Sequence, residues 1–94
     1  MTNMIQTYKN ITDRDEHSKS PIEGKEFVVM EQCKNDYHSD QLALIPAGTT
    51  IIGDFAGDFG CYAMAEIRGV IHRVKFEVNE LHKINWGSLD ARSL

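Results

Sequence analysis

The stretch from Cys61 to Val78 alternates too cleanly for a helix. Val70, His72, Val74, Phe76 and Val78 fall on one side of a two-residue period, with Ile71, Arg73, Lys75 and Glu77 on the other. Just before them, Cys61, Ala63, Ala65 and Ile67 alternate with Tyr62, Met64, Glu66 and Arg68. A period of two sends alternate side chains to opposite faces of a pleated strand, one toward a core and one toward water. Gly69 supplies the tight turn between the two runs. The stretch therefore predicts an antiparallel hairpin, and a two-stranded hairpin needs further strands to cover its apolar face.

The preceding sequence offers them. Glu26 to Cys33 is rich in β-branched and aromatic residues and predicts one continuous strand. Lys34 to Gln41 is a polar loop. Leu42 to Ile45 is a short apolar strand stopped by the turn signal Pro46-Ala47-Gly48, and Thr49 to Ile52 resumes as a strand. Gly53 to Gly60 is glycine-rich and is expected to form a hairpin loop. After Val78, Asn79 is placed to cap a single helical turn, Glu80-Leu81-His82, ahead of a last short strand, Lys83 to Trp86.

This sets the expected organisation: a polar N-terminal arm over residues 1–24, a β domain over 25–86 and a tail over 87–94. Within the arm, Thr12 is placed to cap one short helix through Asp13-Arg14-Asp15-Glu16, ended by Ser20-Pro21. The chain has 94 residues, enough for one domain, and its 41% hydrophobic and 26% charged residues suit a modest packed core. No apolar run approaches the roughly 20 residues that cross a bilayer. Met1 to Asn10 lacks the pattern of a secretory signal, so a cytoplasmic protein with reduced Cys33 and Cys61 is the expectation, and the acceptor triplet Asn10-Ile11-Thr12 is read as accidental.

About five short antiparallel strands, a long polar loop after the first and a helical turn before the last resemble the SH3-like small barrel. The matching stretches are Tyr37 to Asp40 in the long loop, Ile45 to Gly48 in the turn that follows, and Asn79 to His82 as the helical turn. The resemblance implies a fold and no ligand. Readers of proline-rich peptides in that superfold carry a mid-domain Trp pair, whereas the single Trp here, Trp86, comes at the end.

Gly-Asp-Phe occurs at residues 53–55 and again at 57–59. Asp58-Phe59-Gly60 also spells the metal-binding triplet of protein kinases, but the chain is far too short for that catalytic machinery. Two aspartates would repel a phosphate, so the segment is read first as a plain hairpin turn of glycines and aspartates, with a loop presenting an aromatic anchor among acids as its functional alternative. One of Phe55 and Phe59 is expected to face water while the other closes the end of the core. Cys33, His38, Cys61 and His72 lack the close paired spacing of a zinc site, and no metal or cofactor is expected. His72 lies on the apolar face of the best strand and is read as a core-edge residue. No catalytic constellation is visible.

Net charge is −4, and residues 1–60 hold five Lys/Arg against ten Asp/Glu. The leading expectation is a non-enzymatic binding module for a protein partner with a basic surface. It would be an inhibitor or regulator of the phage or mobile-element kind, acting through Asp36, Tyr37, Asp40, Asp54, Phe55, Asp58 and Phe59. The alternative is nucleic-acid binding by a basic face made of Arg68, Arg73, Lys75 and Lys83. A small-ligand binder or enzyme ranks third. Oligomeric state is not legible in the sequence.

Overall fold

A computed structural model describes residues 11–12, 20–87 and 89. Of the short helix expected over residues 12–16 only Thr12 is described, in helical conformation with Ile11; residues 13–16, most of the 87–94 tail and Asn10 of the acceptor triplet lie outside these residues. The fold is mostly β. Among the described residues seven strands form: β1 (Glu26–Val29), β2 (Cys33–Lys34), β3 (Leu44–Ile45), β4 (Thr50–Gly57), β5 (Gly60–Ile67), β6 (Val70–Phe76) and β7 (Ile84–Asn85). Five make one antiparallel sheet in the order β6-β5-β4-β1-β7, while β2 and β3 pair with each other. A 3₁₀ turn, Val78–Lys83, precedes β7. No helix among the described residues is long and apolar enough to cross a membrane.

The β5–β6 hairpin forms as its alternation dictates. Ala63, Ala65, Val74 and Phe76 are buried, and Glu66, Ile71 and Arg73 face outward. Arg68 and Gly69 both take positive φ, 54° and 78°, which is the type I′ geometry that matches the twist of the flanking strands.

Three expectations are corrected. The single strand over Glu26–Cys33 breaks after Val29. There β1 runs out of neighbours, because its pairings end at Thr50 on one side and Ile84 on the other. The Met30 and Glu31 amides instead both donate to the Lys83 carbonyl, and the chain turns outward until Cys33–Lys34 finds Leu44–Ile45. Second, most of Gly53 to Gly60 is not loop. β4 continues to Gly57, and only Asp58 and Phe59 form the turn. Gly53 is there because a Cβ at that position would run into the Ile22 carbonyl, while its own N–H and C=O bond Lys25 and Gly24. Its glycine marks a close approach of two backbones rather than a bend. Third, Asn79 does not cap the helical turn. Glu77 stands at the N-cap with no side-chain hydrogen bond, and Asn79 sits inside the turn.

The core lies on the inner face of the sheet. Phe27, Val29, Ile51, Cys61, Val74, Phe76, Leu81, Ile84 and Trp86 meet there, with Cys33 and Ile45 contributed by the β2–β3 excursion. Ile11, Ile22 and Leu89 are also core residues, so buried apolar anchors extend beyond the span 25–86. Trp86 crosses Phe27 edge to face at 4.8 Å between ring centroids, and its indole N–H donates to the Leu81 carbonyl at 2.9 Å. That bond ties the 3₁₀ turn to the end of β7.

Candidate functional site

The outer face of the sheet is organised by register. Residues paired across antiparallel strands point to the same side, so cross-strand partners form rows. The first row is Phe55, Tyr62 and Lys75; the second is Glu26, Ile52, Met64 and Arg73. The third brings Val28 beside Thr50 and Glu66 beside Ile71.

The first row exists because β4 is irregular. Between Gly53 and Phe55 the register shifts, leaving Asp54 as the extra residue of a β-bulge. Without it, Phe55 would point into the core. With it, Asp54 and Phe55 both face outward, and the Phe55 ring stacks on Tyr62 with centroids 4.6 Å apart and planes 15° apart. Tyr37, from the long loop, meets Tyr62 edge-on at 6.5 Å and 89°. Lys75 Nζ lies 5.7 Å from the centre of the Tyr62 ring. The rings border a cleft of about 270 Å³ that Asp54, Met64 and Arg73 also line.

Phe59 stands at the tip of the β4–β5 hairpin, 80% exposed, and Phe55 is 40% exposed. The expectation that one of the two closes the core is therefore corrected. The bulge turns Phe55 outward, and Ala56, Cys61 and Phe76 fill the interior at that end.

The long loop is held against β6 by two side chains. Asn35 Oδ1 accepts from the amides of Tyr37 and Lys75, both at 3.0 Å, and its Nδ2 donates to the carbonyls of Leu42 (2.9 Å) and Arg73 (3.4 Å). Asp40 accepts from the Leu42 amide at 2.8 Å, from the Arg73 amide at 3.1 Å, and contacts His72 Nδ1 at 2.8 Å. Asp36 adds an ion pair to Lys75 at 3.5 Å. Of the anticipated contact residues, Asp36 and Asp40 thus serve internal contacts. Tyr37, Asp54 and Phe55 converge on the cleft, with Asp58 and Phe59 at the adjoining tip. Asn35 and Tyr62 complete the arrangement. Sequence alone offers only a faint sign of Asn35, an amide at the start of a polar loop.

The Leu42 amide, followed by the His72 contact and the Arg73 amide, holds the Asp40 carboxyl below the ordinary carboxylate range. A group depressed on folding contributes stability above its unfolded pKa, about 3.9, that is lost as pH falls through its lower folded value. Acidification below about pH 4 is therefore expected to release the loop from β6. Thermal denaturation followed from pH 6 to pH 2 checks this: Asp40→Asn should be less stable than wild type near neutrality and should lose less on acidification.

The anticipated basic face is divided. Arg68 lies in the turn before β6, and Lys83 lies beyond its far end, 2.6 Å from Glu80. Only Arg73 and Lys75 are neighbours on β6, and Lys75 is already paired with Asp36. Burial, with smaller contributions from nearby acids, pushes the Cys33 thiol up to about 11 and the Cys61 thiol to about 12. Both stay protonated near neutrality, without the thiolate that nucleophilic attack requires. His38 is exposed in the long loop, and among the described residues no three His, Cys, Asp or Glu side chains converge as metal ligands. No protein-family model, curated protein or solved structure matches the chain.

Proposed function

We propose that the chain is a non-enzymatic docking module of SH3-like build that binds a protein partner at the Tyr37–Phe55–Tyr62 cleft and the neighbouring Phe59 tip. The strand order, the long excursion between β1 and β4 and the 3₁₀ turn before β7 support the SH3-like comparison. The observation that carries the docking role is an aromatic trio gathered at the surface: Phe55 turned outward by a β-bulge, Tyr62 on β5, and Tyr37 on the loop that Asn35 holds. Fixed aromatic rings beside unpaired polar groups are what protein interfaces use as anchors, because they contribute large contact area with little ordering entropy. Asp54 and Asp58 supply the acidic rim; neither has an ion-pair partner among the described residues. A partner presenting a basic surface suits that rim.

Tagged protein incubated with nuclease-treated lysate of the native host tests this. A nuclease-resistant partner should be retained by wild type and lost from Phe55→Ala/Phe59→Ser. Binding should weaken with added salt and with Asp54→Asn/Asp58→Asn, since the acidic rim is exposed and screened. Nucleic acid is the second candidate ligand, favoured by Arg73 and Lys75 beside stackable rings. Capture that disappears on nuclease treatment and on Arg73→Ala/Lys75→Ala would replace the protein partner with nucleic acid.

A further inference from the structure

The second and third rows of the sheet face bear on what covers them. They hold a groove of about 660 Å³, lined by Ile52, Met64, Glu66 and Ile71 among others, which meets the aromatic cleft at Met64. Ile71 is 63% exposed and Val28 42% exposed, and Ile52 is also open to solvent. So many apolar side chains on one sheet face of a small chain mark a surface that something covers. The charges in these rows are uncompensated: Glu26, Glu66 and Arg73 have no ion-pair partner among the described residues.

The order of chemistry across the second row is acid, apolar, apolar, base: Glu26 on β1, Ile52 on β4, Met64 on β5, Arg73 on β6. That sequence is complementary to its own reverse. A two-fold axis parallel to the strands and midway between β4 and β5 lays β1 of one copy over β6 of the other, and β4 over β5. Glu26 then faces the second copy's Arg73, at both ends of the row, and Ile52 faces Met64. The same operation sets Val28 against Ile71 and Thr50 against Glu66 in the third row, so of the three charges Glu26 and Arg73 gain ionic partners and Glu66 meets a hydroxyl. An isologous interface requires this self-complementarity, and face-to-face sheets with nearly aligned strands are a standard packing.

We propose that this face is the interface of a symmetric homodimer, centred on the second and third rows, with a second copy of the chain as its occupant. The axis preserves position along the strands. It therefore also turns Phe55 of each copy toward Tyr62 of the other, so the aromatic clefts face each other at one end of the dimer, and both Phe59 tips lie at that same end. Met64 and Arg73 line the cleft as well as this face, so a partner seated in the cleft competes with the second copy, while the homodimer itself is argued from the second and third rows alone.

Sedimentation of the purified chain over a concentration series tests the proposal. Wild type should sediment as a dimer whose dissociation constant lies below about 0.1 mM. Met64→Lys should be monomeric with an unchanged circular dichroism spectrum. Glu26→Arg and Arg73→Glu should each weaken association about tenfold or more by placing like charges in contact. Glu26→Arg/Arg73→Glu, which rebuilds both contacts with the signs exchanged, should restore most of it. A wild-type chain that stays monomeric to about 0.5 mM overturns the proposal and leaves the face to a different protein. A dimer indifferent to Met64→Lys, or a folded double variant that fails to recover, overturns it as well.

Discussion

Trp86→Ala is expected to cost about 4 kcal/mol and to lower the melting temperature by about 20 °C. Trp86 is among the largest fully buried side chains and is almost completely enclosed, although it sits one residue beyond the last strand. Its ring packs against Phe27 on β1, and its N–H takes the Leu81 carbonyl, so one side chain joins the first strand, the 3₁₀ turn and the chain end. Truncation leaves a cavity where these three meet and an acceptor without its donor. Trp86→Phe separates the contributions. It keeps most of the apolar volume, removes the N–H, and should cost about 1–2 kcal/mol. Urea denaturation followed by circular dichroism gives both values. A loss below about 1 kcal/mol for the alanine variant would show that the neighbours collapse into the gap.

Asn35→Ala is expected to cost about 3 kcal/mol, although a single small polar side chain is lost. The amide makes four contacts, all to backbone groups, and is largely buried. Alanine leaves the Tyr37 and Lys75 amides and the Leu42 carbonyl without those partners, and unsatisfied groups of this kind cost more than the bonds themselves contribute. Asn35→Asp keeps the acceptor and loses the donor, so it should fall between alanine and wild type. Amide hydrogen exchange checks the location of the effect: protection at Lys75 should drop before protection at the β4–β5 pairs does.

Features with local causes were legible in the sequence, and features with distant causes were not. The β5–β6 hairpin could be read because its causes are local: alternation, and a turn whose two positive φ values fall on adjacent residues. The 3₁₀ turn and last short strand were legible for similar reasons, although Asn79 proved to be inside the turn rather than its cap. Gly53 was misread because its cause is distant. Nothing in the local sequence says that the Ile22 backbone lies against it. The bulge at Asp54 was equally hidden, and one extra residue there decides whether Phe55 faces core or solvent. The aromatic character of the two loop segments was visible in the chain, but their convergence depends on Tyr62 on an intervening strand and on Asn35 holding the loop in place.

The way the long loop lies along β6 has a consequence for how the protein behaves when crowded. β6 is one border of the five-stranded sheet, and β7, the other, is two residues long. An uncovered border offers free amides and carbonyls on which any extended chain can add itself, and this is how folded β proteins begin to aggregate. Here Asn35, Asp36 and Asp40 answer the Arg73 and Lys75 backbone groups one by one, in place of a neighbouring strand. The loop is thus a guard against runaway sheet growth. Variants that loosen it should form fibres under conditions in which the intact protein stays dispersed.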